Sequence, residues 1–89
     1  MDPVLERIAD FLERQRTRAT YGAVAHAAGV PIRSVGALLG DRCPRASWVV
    51  NQATGEPTGY VDHEKHVDLR SREEIIVSGE ELVRRMKRG

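Results

Sequence analysis

Few residues in this chain could carry covalent chemistry. Cys43 is the only cysteine among 89 residues. It lies beside Arg42 and two positions before Arg45, and neighbouring guanidinium groups favour the thiolate that nucleophilic transfer requires. No histidine comes directly after it to act as a base, and a lone loop cysteine reads as incidental. His63 and His66 invite a metal reading, but two histidines do not complete a site, and a single cysteine supports neither a disulfide framework nor a cysteine zinc knuckle. No catalytic residue, metal or cofactor is therefore expected. What remains is a set of planar cations and aromatic rings, chiefly Tyr21 and Arg33, whose chemistry is stacking and hydrogen bonding.

The element that must position them runs from Thr20 to Leu39, TYGAVAHAAGVPIRSVGALL. Val24, Ala25 and Ala28 share one helical face, and Val35, Leu38 and Leu39 share another. Gly29 stops the first helix, Val30 plugs the turn, and Pro31 suits the opening of the second helix, where its missing N–H costs nothing. This spacing predicts a helix-turn-helix, whose second helix enters a nucleic-acid groove. The candidate exposed residues of that helix are Arg33, Ser34, Gly36 and Ala37. None is an Asn, Gln or Lys that would read base edges, so the helix suits close approach to a backbone better than sequence reading. A pair of helices that merely packs against another protein would look similar.

The flanks complete one small domain spanning 1–89. Asp2 and Pro3 open a first helix with Val4, Leu5, Ile8, Phe11 and Leu12 as its apolar stripe. Ser47 to Val50 reads as a strand, Asn51 to Pro57 as a turn or wing, and Thr58 to Tyr60 as a return strand. The expected fold is mainly α with a small β-hairpin, a winged helix-turn-helix plan. Beyond residue 60, Glu74 to Val77 forms a short apolar run. Ser78 and Glu81 have capping-box spacing and open a last helix through Leu82, Val83 and Met86. Residues 61–89 are read as a closure of the domain, with Arg84, Arg85, Lys87 and Arg88 facing solvent. No apolar run is long enough to span a membrane and the N-terminus does not resemble a signal peptide, so a cytoplasmic protein is expected.

The formal net charge of +1 conceals segregation. Arg14, Arg16, Arg18, Arg33, Arg42 and Arg45 fall in one stretch whose only acid is Asp41, whereas residues 51–81 are predominantly acidic. A basic helix-turn-helix beside an acidic half predicts one face that meets phosphate.

Residues 4–60 resemble the DNA-binding domain of the alkylguanine-DNA alkyltransferases and their non-enzymatic relatives, the alkyltransferase-like proteins. Thr20 to Ala25 resembles the family's T-Y-G-x-V-A segment, and Ala28-Gly29 with Arg33 to Gly36 its A-G and R-x-V-G pieces. Val49-Val50 resembles the end of P-C-H-R-V-V, and Gly59-Tyr60 part of a later active-site loop. The resemblance implies that Tyr21 presses on the phosphate of a damaged nucleotide and helps rotate it out. It implies that Arg33 enters the base stack in its place. Aligned on Val49-Val50, the family's nucleophilic cysteine becomes Ala46 and its histidine Ser47. The non-enzymatic relatives carry tryptophan at the cysteine position, whereas here Trp48 lies two places further on.

The resulting expectation is non-enzymatic recognition of duplex DNA, alkylated or otherwise damaged, as a flag for repair proteins. Arg18, Arg42 and Arg45 join Tyr21 and the second helix in the DNA-binding set, and Ala46, Trp48 and Tyr60 form the lesion pocket. A helix-turn-helix adaptor acting through protein partners is the alternative, and a transferase using Cys43 the third reading.

Overall fold

The computed structural model describes residues 1–88. Helix α1 (Pro3–Gln15) opens as its sequence dictates, with the Asp2 carboxylate accepting from the backbone N–H groups of Val4 and Leu5. It ends without glycine: Arg16 takes the left-handed conformation at φ 53° and returns its N–H to Glu13. Strand β1 (Arg18–Thr20) follows immediately. The Thr20 hydroxyl then caps helix α2 (Tyr21–Ala28), which closes on Gly29 at φ 71°. A 3-10 turn over Ile32–Ser34 leads into α3 (Val35–Leu39), and the chain bends by 99° between the two helical segments. The expected helix, turn and second helix are thus all present, although α3 is only five residues long.

The expected β-hairpin is not formed. A 3-10 turn occupies Ala46–Trp48, and only Val49–Val50 is strand (β2). β2 lies parallel to β1, with Ala19 opposite Val49 and Thr20 opposite Val50. Strand β3 (Ile75–Ile76) lies parallel to the other edge of β1, giving the order β2-β1-β3. Thr58–Tyr60 is a turn in which Gly59 adopts φ 75°. Asn51 to Glu56 folds into a closed loop, held by Asn51 N–H to Glu56 O (2.9 Å) and Gly55 N–H to Asn51 O (2.7 Å). The physical reason is that β2 finds a better partner than a return strand. β1 is completely buried, and pairing with it places Val49 and Val50 in the core.

The C-terminal segment belongs to that core. Ser78 Oγ accepts from Glu81 N–H at 3.3 Å and starts α4 (Gly79–Arg88), as the capping-box spacing predicts. α4 crosses α2 so closely that a Cβ on Gly79 would lie 2.3 Å from the Cβ of His26. Leu82 and Ile76 are buried with Leu5, Ile8, Leu12, Val24 and Val35 in one cluster. Leucine and isoleucine side chains buried to this degree contribute about 1.5–3 kcal/mol each, so residues 61–88 are part of what makes the domain stable. Among the described residues, no single helix is long and apolar enough to cross a membrane.

Candidate functional site

The helix pair and the loop after β2 enclose an open groove of about 570 Å³. Tyr21 stands on one wall, at the first position of α2, and its hydroxyl accepts from Thr58 N–H at 3.4 Å. Tyr60 stands on another. Burial pushes its phenol up to about 12, so the hydroxyl stays protonated at neutral pH, with the backbone of Cys43 as a hydrogen-bond partner. Arg42 lines the same groove, and its guanidinium lies over Gly59, where an added Cβ would come within 2.8 Å of Nη2. The absence of a side chain at Gly59 therefore seats Arg42 beside the two phenols. Ile32, Gly36, Leu39, Gly40, Thr58 and the carboxylate of Asp41 complete the surface. The sequence singled out neither Leu39 nor Thr58 as site residues, and the Gly59 seat was visible only as part of a Gly-Tyr pair.

Arg33 lies outside the groove wall, exposed in the turn that opens the second helical segment. Ser34 is half-buried, whereas Gly36 and Ala37 are exposed. Ile32, beside Arg33, is 60 % exposed. Among the described residues, Arg33 and Arg42 make no ion pair. The face therefore presents two guanidinium groups that make no ion pair among the described residues, one carboxylate, Asp41, two tyrosines and an isoleucine, with small residues between them. It can hydrogen-bond and stack against an anionic, planar ligand, and it approaches closely because Gly36 and Ala37 carry almost no side chain.

Other expected contacts are committed elsewhere. Arg18 is only 9 % exposed. Its guanidinium donates to Gly55 O at 2.8 Å and Arg72 O at 3.1 Å and lies 4.0 Å from Glu56. It ties the closed loop and the β3 approach to the sheet, and it cannot reach phosphate. Arg45 spans Asp10 at 2.9 Å and Glu6 at 3.6 Å, fastening the 43–48 segment to α1. Arg16 is paired with Asp68 at 3.1 Å, while Arg14 is exposed.

The expected lesion pocket is likewise redrawn. Ala46 and Trp48 are both 0 % exposed and do not line the groove; of the three residues, only Tyr60 does. Trp48 packs in the core with its ring 4.9 Å from that of His66, and its indole N–H has no partner there. The 3-10 turn is responsible, because it rotates residues 46–48 inward before β2 begins. Ser47 is buried too, and its hydroxyl accepts from His66 N–H at 2.9 Å. His66 Nδ1 accepts from Asp68 N–H, and Nε2 lies 3.4 Å from Glu13. Among the described residues, no group of three His, Cys, Asp or Glu side chains could hold a metal ion. Cys43 is half-buried near Tyr60.

No protein-family model, curated protein or solved structure matches the chain.

Proposed function

We propose that this chain is a duplex-DNA-binding protein of helix-turn-helix type that acts without alkyl transfer, the phosphate backbone meeting the α2–α3 face and an unstacked or damaged base meeting the Tyr21–Tyr60 groove. The observation that carries this reading is the grouping of Tyr21, Tyr60 and Arg42 around one groove, with Arg33 exposed on the adjoining turn and neither arginine in an ion pair among the described residues. Guanidinium groups neutralise phosphate and stack on bases, and a neutral phenol donates hydrogen bonds to base or phosphate oxygens. The closed loop 51–56 takes the place of the wing. With so small a helical face, recognition rests on shape and on the state of the base rather than on major-groove sequence reading.

Two arms test the proposal. Fluorescence anisotropy with matched duplexes, with and without an alkylguanine, is expected to give salt-dependent binding that is tighter on the alkylated duplex. Intact mass after incubation with the alkylated duplex is expected to be unchanged, because Ala46 stands where the resemblance places a nucleophile. A stable alkyl adduct on Cys43 would replace the proposal with the transferase reading. A specific observation favours one competitor: Ile32 is a large apolar side chain left exposed beside Arg33. If neither duplex binds at low salt, the face is a protein-binding one and the adaptor reading stands first.

A further inference from the structure

The groove carries one group that a surface built only for phosphate would not have. Gly40, at φ 75° and ψ −142°, ends α3 and turns the chain into Asp41 and Arg42, the two charged residues that line the groove. Both are exposed. Among the described residues neither makes an ion pair, with the other or with any third group, although they are neighbours in the chain.

The other polar groups of the groove mostly offer protons. A guanidinium only donates. The Tyr21 oxygen already accepts from Thr58 N–H, so its own proton is free to donate, and burial keeps the Tyr60 phenol protonated. Against these donors stands the carboxylate of Asp41, which only accepts. A phosphate oxygen has no proton to give a carboxylate and is repelled by its charge. A nucleobase edge, by contrast, sets N–H donors beside acceptors. Guanine matches the Asp41–Arg42 pair best. Its 2-amino group and ring N1–H lie side by side, and its O6 and N7 are the atoms that a guanidinium most often contacts in specific recognition. Alkylation at O6 removes N1–H and alkylation at N7 removes an acceptor, but the 2-amino group survives both.

On the reading that a base enters the Tyr21–Tyr60 groove, on which this step rests, we propose that Asp41 selects that base by accepting a hydrogen bond from the 2-amino group of a guanine-type base. A charged acceptor bonds more strongly than a neutral one. A base without the amino group leaves the carboxylate desolvated and without a partner, and that is how a hydrogen-bonding site rejects a close analogue. The same charge repels the backbone of every duplex, so Asp41 lowers general affinity while raising selectivity.

The test uses the full chain and three duplexes that differ at one nucleotide: an alkylguanine, the same alkyl group on hypoxanthine (which lacks only the 2-amino group), and unmodified guanine. Affinity is read by fluorescence anisotropy. The wild type is expected to bind the alkylguanine duplex about tenfold tighter than the alkylhypoxanthine one. Asp41→Ala should bring that ratio close to one and, by removing repulsion, tighten binding to the unmodified duplex about twofold. Differences in base-pairing strength cancel when the ratio is compared between wild type and variant. A residue that merely shaped the loop would not combine lost discrimination with gained general affinity. Asp41→Asn keeps the shape and one acceptor oxygen, so it should retain a reduced preference, and it carries the test if circular dichroism shows Asp41→Ala unfolded. Equal binding of the two alkylated duplexes by the wild type, or a preference unchanged in the folded variants, would overturn the role of Asp41 and leave the DNA-binding reading standing. Failure of the wild type to bind any of the three at low salt would remove that reading, and the role of Asp41 with it.

Discussion

Two regions of this molecule use arginine for opposite ends. At the sheet corner, Arg18 is buried, bonded to the carbonyl groups of Gly55 and Arg72, and drawn towards a carboxylate, Glu56, that also holds Lys65 at 3.1 Å and Arg70 at 2.6 Å. On the α2–α3 face, Arg33 and Arg42 are exposed, and no carboxylate comes within ion-pairing distance of either among the described residues. The first arrangement satisfies a charge internally and fixes the chain. The second leaves charge available to something outside the chain. A residue's type fixes what it can bond, but its neighbours decide whether that capacity is already used.

The comparison breaks most sharply at Arg18. Arg18→Ala removes the donor from two loop carbonyls and the buried cation beside Glu56. It is expected to cost about 3–5 kcal/mol of stability, read as a lowered urea midpoint. Binding by the fraction that remains folded should be unchanged. If Arg18→Ala instead leaves the midpoint alone and weakens DNA binding, the two regions have been assigned the wrong way round.

The reciprocal experiment is the double variant Arg33→Ala/Arg42→Ala. Stability should stay within about 0.5 kcal/mol, because both side chains are exposed and make no ion pair among the described residues. The slope of log affinity against log salt should fall by about one for each phosphate contact removed. A slope equal to that of the wild type would take both arginines off the DNA.

A smaller effect tests the sheet corner through pH. The hydrogen bond from Arg70, helped by that from Lys65, outweighs burial and holds the Glu56 carboxyl below its ordinary value of 4.5. Its stabilisation is therefore complete above about pH 4.5 and is lost as pH falls through the depressed folded-state value. Glu56→Gln should flatten this acid limb while leaving the groove's binding unchanged; an acid limb identical to the wild type's would mean that Glu56 does not couple the loop to the sheet.

The smallest effect sharpens the groove. Burial raises the Tyr60 phenol from 10 to about 12, so its stabilisation is present below pH 10 and is lost as pH rises towards 12. Ultraviolet titration should show a late phenolate transition that disappears in Tyr60→Phe. Its persistence in that variant would assign the late transition to Tyr21.

Local signals made some of this legible in the sequence. Asp2, Thr20, Gly29 and Ser78 mark their helix boundaries through bonds or backbone conformations only one to three residues away. The sheet was not legible, because its strands are two or three residues long, parallel, and separated by long stretches of chain. The same distance hid the duties of the arginines. Arg18 meets Gly55 and Arg72, and Arg45 meets Asp10, so their environments exist only after folding. Trp48 was misplaced for a local reason: a strand from Ser47 would alternate its faces, whereas the 3-10 turn buries Ala46, Ser47 and Trp48 together. Tyr21, Arg42 and Tyr60 were identified individually, but their convergence depends on the turn at Gly59.

The most direct measurement compares the wild type with Arg33→Lys on matched duplexes that differ only in one alkylguanine. Lysine keeps the charge and loses the planar stacking surface. Arg33→Lys is expected to lose most of the preference for the alkylated duplex while its affinity for the intact one changes little. Wild-type behaviour on both duplexes would reduce Arg33 to a phosphate contact, and failure of the wild type to bind either duplex at low salt would contradict the DNA-binding claim itself.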